Sequence, residues 1–441
     1  MFFDTIDEEL KKLLRPAKAH KFSTNKKILP AYRYVDVRNA IKKSLEEYNV
    51  ETVTSSHYED LSPLLTGEAP AHMHRKLNKA SNISWSISED DEDYFPEDQF
   101  WVGKASDKQT VIIRLRYFEH SDNAILECGS EQELSGKNLM KAVLERSVRT
   151  SIYRGNTLRL SYESGTRDEY GDIEKPSRFR VLFQSLPAVD KDEFVLEAQT
   201  RETLQRNVID LFSRKDALNA LNVPIRRGIL LYGPPGTGKT FSCRFLAQQL
   251  DSVTKFFVTG RALNQVSAIF SIARLYKPSC IFLEDADLAF AARDINVDAG
   301  GLGELLDQLD GLRTDDEIVV IVTTNSMERL ESALKDRPGR ISQCIYFGPP
   351  VAVMRERYLR QYLAGFETTD LDFSKLVFDS EGSTQAFLRE WVHRALQIGS
   401  EEKTSRSLRL TNTDFDRAMD EMTRDADYFG QSLIGFTPSR T

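Results

Sequence analysis

The sequence predicts an α/β fold for the C-terminal half of the chain, with a sheet buried between helices. The apolar segment "GILLY" (228–232) leads into a glycine-rich loop and then into the helical pattern "TFSCRFLAQQL" (240–250). Two further apolar segments, "CIFLED" (280–285) and "EIVVIVTTN" (317–325), end in carboxylate or amide side chains. Short continuous apolar runs are typical of strands that are buried on both faces, as in parallel sheets. We therefore expect polar groups from several strand ends to serve one site.

The composition indicates an ordinary globular protein. The 441 residues, of which 40% are hydrophobic and 29% charged, allow two to four domains. A net charge of −8 excludes a general attraction to nucleic acid or to an anionic membrane, although a local basic patch is compatible with it. We find no signal-peptide pattern and no apolar stretch of about 18 residues, so the sequence predicts no transmembrane segment. The four cysteines have no Cys-x-x-Cys spacing, which favours the cytoplasm and predicts no zinc site.

Residues 1–190 are predicted to form a separate α+β domain at the N-terminus. The basic segment "KAHKFSTNKKILPAYRY" (18–34) is interpreted as a solvated connector, with a contact for an acidic partner as the alternative. We find no catalytic constellation in this domain, so we expect it to bind a substrate or partner. Helical patterns occur at 5–15, 36–48 and 137–149, and strand patterns at 100–104, 110–118, 124–129 and 156–163.

The octapeptide "GPPGTGKT" (233–240) fits the phosphate-binding pattern G-x-x-x-x-G-K-T, and it lies between a strand and a helix as that pattern requires. Glycines allow main-chain amides to converge on phosphate oxygens, and the helix N-terminus adds a partial positive charge. Lys239 is predicted to reach the β- and γ-phosphates of ATP, and the Thr240 hydroxyl to hold Mg²⁺. The predicted nucleotide-binding residues are Gly233, Pro234, Pro235, Gly236, Thr237, Gly238, Lys239, Thr240 and Phe241.

The carboxylates at the end of "CIFLEDAD" (280–287) need a cation, because unpaired carboxylates at the end of a buried strand would be costly. Mg²⁺ bound with a nucleotide supplies it. Glu284 is predicted to face the metal, and Asp285 to act as the general base for the attacking water. Which of the two acids does which task is left open by the sequence. Asn325, at the end of the next apolar strand, is predicted to help hold the same water.

These segments together resemble the AAA family of ATPases. The matching motifs are "RRGILLYGPPGTGKT", "CIFLEDAD", "LLDQLDGL", "VVIVTTN" and "ALKDRPGR", in family order. The resemblance implies a five-strand parallel-sheet ATPase core (191–348) and a small helical lid with a C-terminal tail (349–441). Within the lid, "SEGSTQAFLREWVHRAL" (380–396) resembles the family's helix that closes over the nucleotide. It also implies ATP and Mg²⁺ as ligands and assembly into a homo-oligomeric ring, usually hexameric. By the same resemblance Asn325 is the sensor residue, and Arg337 and Arg340 are arginine fingers that act on a neighbouring subunit.

Two features depart from the usual family pattern. The order of the acids, Glu284 before Asp285, is similar to the branch that contains the mitochondrial AAA translocase of the Rieske protein and its bacterial relatives. The shorter base predicts slow hydrolysis. In addition, the segment "TGRALNQVSAIFSIARLYKP" (259–278) lacks the aromatic insertion with which many members grip an unfolded chain. This departure is compatible with moving a folded substrate, as that branch is thought to do.

Three functions are compatible with these observations. The first is a ring-forming ATPase that remodels or moves a protein bound by residues 1–190, without threading it past an aromatic pore loop. The second is an ATP-gated scaffold whose N-terminal domain is the effector. The third is an ATPase directed by nucleic acid, such as a loader or a defence sensor, against which the net negative charge argues. Stimulation of hydrolysis by protein or by nucleic acid would distinguish the first from the third.

Overall fold

A computed structural model describes most of the chain, and it divides the chain into two units, Met1–Ser185 and Leu186–Thr441. Each unit is considered by itself. The described residues are 5–15, 17–45, 51–54, 59–66, 80–167, 173–190, 195–287, 300–313, 315–326, 341–401 and 409–429.

The first unit is built on an antiparallel sheet of five strands in the order β1-β7-β6-β5-β2. Its strands are β1 (Ser23–Pro30), β2 (Glu51–Thr54), β5 (Asp98–Lys104), β6 (Thr110–Phe118) and β7 (Asn123–Ser130). Three further pairs join β3 (Asn82–Ser86) to β4 (Glu92–Pro96), β8 (Thr157–Glu163) to β11 (Arg178–Phe183), and β9 (Thr166–Arg167) to β10 (Ile173–Lys175).

Helices cover both faces of this sheet. The helices are α1 (Ile6–Leu13), α2 (Tyr34–Leu45), α3 (Leu61–Thr66) and α4 (Glu133–Arg149). One apolar cluster joins α2 and α4 to side chains such as Trp101 and Leu115. A second cluster joins α1 and α3 to Phe100 and Ile112. Successive side chains of a strand point to opposite faces, so β5 and β6 contribute to both clusters.

The interpretation of residues 18–34 as a solvated connector is wrong, because strand β1 lies within this segment and pairs with β7 along its whole length. The burial of this strand shows no regular alternation and only one of its residues is buried, so the sequence carries little strand signal. Leu29 is buried on one side, whereas the neighbouring Ile28 is 57% exposed. Lys26 also faces a carboxylate rather than only solvent, since its Nζ lies 2.8 Å from Asp60 Oδ2.

A buried ion-pair network crosses three central strands of the first unit. The Arg114 side chain on β6 is fully buried. Its Nε and Nη2 donate to the two carboxylate oxygens of Asp98 on β5, at 2.9 and 2.6 Å. Its Nη1 lies 3.5 Å from Glu127 Oε2 on β7. One guanidinium therefore neutralises buried carboxylates on both adjacent strands.

The substitution Arg114→Met is expected to destabilise the protein by about 3–5 kcal/mol, because it removes the cation that contacts both carboxylate oxygens of the buried Asp98. Glu127 keeps the more distant Arg116, whose Nε lies 3.9 Å from Glu127 Oε2. Urea denaturation measures the change. Arg159→Met, at an exposed position of strand β8, is the matched control and should change the free energy of unfolding by no more than about 0.5 kcal/mol. Equal effects of the two substitutions would contradict this account of the network.

The second unit contains a parallel sheet, which confirms the predicted α/β class. Its strands lie in the order β13-β14-β15-β12-β16, and every described pair among them is parallel. They are β12 (Arg226–Tyr232), β13 (Thr254–Val258), β14 (Ser279–Leu283), β15 (Ile318–Thr324) and β16 (Gln343–Tyr346). Strands β13, β14 and β15 are buried along their whole length, as the apolar runs predict.

The strand order brings the predicted motifs to one edge of this sheet. Strand β12 lies between β15 and β16, and β14 lies on the far side of β15. Tyr232, the last residue of β12, is in register with Thr324 at the end of β15. The carboxyl ends of β12, β14 and β15 are therefore neighbours, and the segments that follow them meet at the crevice where ligands bind in open α/β sheets.

The helices of the second unit divide in chain order into those that precede the last strand, β16, and those that follow it. The first group is α5 (Ala198–Leu204), α6 (Asp210–Ser213), α7 (Lys215–Ala220), α8 (Lys239–Gln248), α9 (Val266–Leu275) and α10 (Gly300–Asp310). The second group is α11 (Ala352–Tyr362), α12 (Phe373–Asp379), α13 (Gln385–Glu401) and α14 (Asn412–Phe429). The second group has an apolar core of its own, centred on Trp391 and Phe415. No helix among the described residues is long and apolar enough to span a bilayer.

Candidate active site

The loop after β12 wraps around the N-terminus of helix α8. Gly236 and Gly238 have φ angles of +78° and +94°, which favour glycine. Helix α13 closes on the same loop, because the Ala386 amide donates to the Gly236 carbonyl at 3.0 Å. A Cβ atom at position 236 would lie 2.8 Å from Ala386 Cβ, and one at 238 would lie 2.8 Å from Gln385 Oε1. The loop therefore has glycine where the backbone turns and where the helix approaches it.

The substitution Gly236→Ala is expected to lower the affinity for ATP about tenfold or more. It forces an alanine into a left-handed conformation, which costs about 1–2 kcal/mol, and its Cβ displaces helix α13 from the loop. Titration with a fluorescent ATP analogue measures the affinity. The control is Gly260→Ala, because Gly260 also has a positive φ of +59° but nothing within 4 Å of an added Cβ. If the control loses as much affinity as Gly236→Ala, the close approach of α13 is not the cause.

Lys239 lies at the start of α8 and is almost fully buried, with 6% of its surface exposed. Its Nζ donates to the carbonyl oxygens of Gly233 and Pro234 at 2.7 and 2.8 Å. Burial lowers the pKa of Lys239 to about 8, and the charges of Asp285 and Asp287 oppose that shift. The ammonium is therefore poorly hydrated, and its acceptors among the described residues are neutral carbonyls, so phosphate oxygens would be stronger acceptors for it.

Glu284 follows β14 directly and is positioned by its own main chain, whose amide donates to the Val258 carbonyl at 3.1 Å. Its Oε1 atom is buried and accepts no hydrogen bond from the described part of the chain. Burial raises the pKa of the Glu284 carboxyl, and the nearby Arg244 opposes the shift. Carboxylate and hydroxyl oxygens are ligands that suit Mg²⁺, so the orphaned Oε1 of Glu284 and the predicted ligand Thr240 fit that metal.

Asp285 and Asn325 meet at the ends of β14 and β15. Asp285 has a φ of +51°, a left-handed conformation that is uncommon outside glycine and asparagine-like residues. Its amide donates to Thr323 Oγ1 at 3.0 Å, which holds the turn. The Asn325 Nδ2 atom lies 3.4 Å from Asp285 Oδ1. The carboxylate and the amide are thus adjacent and in position to hold one water molecule between them.

These groups border a cleft of about 440 Å³ within the second unit. The predicted residues that line the cleft are Pro235, Gly236, Gly238, Lys239, Thr240, Phe241, Asp285 and Asn325. Gly233, Pro234 and Thr237 lie in the same loop and stabilise it by hydrogen bonds. The carbonyl oxygens of Gly233 and Pro234 accept hydrogen bonds from Lys239 Nζ, and the Thr237 hydroxyl donates to the Pro234 carbonyl at 2.9 Å. Glu284 lies beside the cleft rather than on its lining.

Sequence reasoning missed five residues that line the cleft: Arg244, Tyr362, Gln385, Ala386 and Arg389. A signal for Arg244 exists, because it lies four residues after Thr240 and therefore on the same face of helix α8. The other four come from the helices beyond the sheet. Gln385, Ala386 and Arg389 lie in the segment 380–396 that the family resemblance gives as the helix closing over the nucleotide, but which of its side chains face the loop depends on the tertiary structure. Arg337 and Arg340, the predicted arginine fingers, lie outside the described residues.

Part of the chain is similar in sequence to known proteins. Residues 229–349 match the model of the ATPase family associated with various cellular activities (AAA). The 26S proteasome regulatory subunit 8 homolog of Schizosaccharomyces pombe is 34% identical over 259 residues, which are 54% of this chain and 62% of the relative. The ATP-dependent zinc metalloprotease FtsH 2 of Symbiobacterium thermophilum is 29% identical over 264 residues, which are 56% of this chain and 43% of the relative.

A third relative, the Cell division cycle protein 48 homolog of Archaeoglobus fulgidus, is 26% identical over 284 residues. The aligned part is 58% of this chain and 38% of that relative. The chain thus spans between 38% and 62% of the length of these three proteins. These matches support an AAA ATPase domain around residues 229–349.

Proposed function

We propose that the protein is an ATP-hydrolysing AAA ATPase that assembles into a ring and uses ATP to remodel or move a protein partner. The observation that carries the proposal is the convergence of Lys239, Asp285 and Asn325 on one cleft, next to a glycine loop shaped for phosphates. The AAA match over residues 229–349 and the three relatives support the same class.

In this proposal each group of the cleft has one task. The loop amides and Lys239 bind the phosphates of ATP, and Thr240 and Glu284 would hold Mg²⁺. The bound Mg²⁺ would stabilise the negative charge that develops on the phosphate. Asp285 accepts the proton of the attacking water, and the Asn325 amide orients that water. Asp285 is favoured over Glu284 as the base because Asp285 lines the cleft, whereas Glu284 lies beside it.

We further propose the domain arrangement and assembly that the family resemblance implies. Residues 1–190 are the partner-binding domain, 191–348 the five-strand ATPase core, and 349–441 the helical lid and tail. Arg337 and Arg340 act in trans on ATP in a neighbouring subunit of a homo-oligomeric ring, hexameric or similar. The branch of the Rieske-protein translocase and the cytoplasm remain our assignments from the Glu-Asp order and the cysteine spacing.

The segment between β13 and α9 favours moving a folded partner over threading an unfolded one. A short 3₁₀ helix occupies Gly260–Asn264, and α9 begins two residues later. Ala262 and Leu263 are 1% and 2% exposed, so these side chains pack inward. Neither offers an aromatic side chain with which to grip an extended chain.

Light scattering and steady-state phosphate release together test the proposal. We expect a ring-sized molar mass with ATP and Mg²⁺, and hydrolysis that a protein partner accelerates. Negligible hydrolysis in a ring that needs ATP would instead indicate an ATP-gated scaffold. Acceleration by DNA or RNA with a steep dependence on salt would indicate a nucleic-acid-directed ATPase. A monomer that neither binds nor hydrolyses ATP would refute the proposal.

A further inference from the structure

The third carboxylate after strand β14, Asp287, faces the neighbouring strand rather than the cleft. Asp287 is 8% exposed and is not among the cleft-lining residues. Its Oδ1 atom accepts a hydrogen bond from the main-chain amide of Asn325 at 3.1 Å and another from the Thr324 hydroxyl at 3.2 Å. Both donors lie at the end of β15, and one of them is Asn325, the predicted sensor residue. The Asp287 carboxylate therefore joins the chain after β14 to the end of β15.

The left-handed turn at Asp285 makes this contact possible. The turn is held by the hydrogen bond from the Asp285 amide to Thr323 Oγ1 at 3.0 Å. The chain then brings Asp287 back to Asn325, while the Asp285 side chain stays in the cleft. Three hydrogen bonds, two from main-chain amides and one from a hydroxyl, thus join the two strand ends beyond the last pair of the ladder, Leu283 with Val322.

The position of the Asn325 side-chain amide depends on these hydrogen bonds to Asp287. The Asn325 Nδ2 atom is 3.4 Å from Asp285 Oδ1, which is long for a hydrogen bond. A small shift of the Asn325 main chain would therefore separate the two groups. Among the described residues, Asp287 is the carboxylate that accepts a hydrogen bond from the Asn325 main-chain amide.

We propose that Asp287 is a positioning residue, which fixes the Asn325 main chain so that its side-chain amide and the Asp285 carboxylate hold one water molecule between them. This inference rests on the proposed function for its kinetic consequence, although the positioning itself can be measured without any activity. Asp287 contacts neither the nucleotide nor the reacting water in this assignment, and it acts through Asn325.

A double-mutant cycle tests whether Asp287 acts through Asn325. We expect Asp287→Ala to lower kcat for ATP about 10²-fold, since a displacement of about 1 Å can have that effect, with the affinity for ATP unchanged within about twofold. In the Asn325→Ala background, Asp287→Ala should cause no further loss. Asp287→Asn, which keeps an acceptor for the Asn325 main-chain amide, should recover most of the kcat that Asp287→Ala loses. Losses that multiply, or a loss of ATP affinity as large as the loss of kcat, would overturn the proposal.

Hydrogen exchange, followed by mass spectrometry on the peptide 318–326, tests the positioning without activity. Asp287→Ala should accelerate exchange at the Asn325 main-chain amide, and Thr324→Val is a milder variant for use if Asp287→Ala fails to fold.

The matched control is Asp36→Ala in the first unit, because Asp36 also accepts hydrogen bonds from one hydroxyl (Ser151) and one main-chain amide (Ile152). That control should leave 318–326 unchanged. If the parent protein hydrolyses no ATP, the proposed function fails while accelerated exchange still supports the positioning; unchanged exchange in Asp287→Ala overturns the positioning itself.

Discussion

Lys239→Ala is expected to lower the affinity of the protein for ATP about 10²-fold or more. The ammonium lies within the glycine loop and, in the part of the chain that the structure describes, donates to two carbonyl oxygens. A phosphate would replace these acceptors with charged ones, and hydrogen bonds to charged groups contribute about 1.5–3 kcal/mol each. Titration with a fluorescent ATP analogue in the presence of Mg²⁺ measures the loss.

The matched control for Lys239→Ala is Lys255→Ala on strand β13. Lys255 is similarly buried, with 8% of its surface exposed, and its Nζ donates to the Leu250 carbonyl at 3.3 Å. It does not line the cleft. We expect the control to retain ATP affinity within about twofold. Equal losses in both variants would show that removing a buried lysine, and not the loss of a phosphate ligand, lowers the affinity.

Asp285→Asn is expected to bind ATP as the parent does and to hydrolyse it about 10²–10⁴-fold more slowly, because asparagine has the shape of the base but cannot accept the proton. The variant should therefore accumulate with ATP bound, in the assembled form. The nucleotide retained by the variant after gel filtration, identified by chromatography, measures this directly.

Glu284→Gln is the comparison that assigns the two acids. If Glu284 holds the metal, Glu284→Gln should weaken the binding of ATP mainly when Mg²⁺ is present. If the tasks are reversed, Glu284→Gln will trap ATP and Asp285→Asn will weaken its binding. An Asp285→Asn variant that hydrolyses ATP at the parent rate would exclude Asp285 as the base.

The parts of the site that the sequence predicted are those encoded locally. The phosphate loop is one continuous segment between a strand and a helix, so its spacing alone indicates the geometry. The strand ends were predictable because apolar runs mark buried strands and the polar residues follow at once. The direction of Asp287 was not predictable, since it depends on the left-handed turn at Asp285. The family resemblance implied that the helix of Gln385 and Arg389 closes over the nucleotide, but these two residues were not named, because packing decides which side chains of the helix reach the loop.

The first unit shows a different limit of sequence reasoning. Its strands β5, β6 and β7 were predicted from apolar residues, whereas β1 was missed because it is mostly polar and buries only Leu29. The ion pairs of Arg114 with Asp98 and Glu127 join residues 16 and 13 positions apart. Those pairs follow from the register of two hairpins, and no local pattern in the sequence specifies that register.

Steady-state phosphate release from Mg²⁺-ATP, measured for the parent protein and for Asp285→Asn under the same conditions, tests the central claim most directly. The account predicts sustained release by the parent and at least about 10²-fold less by the variant, with ATP affinity retained in both. Equal release by the two proteins, or no release by a parent that binds ATP, would contradict the assignment of this cleft as a hydrolytic site.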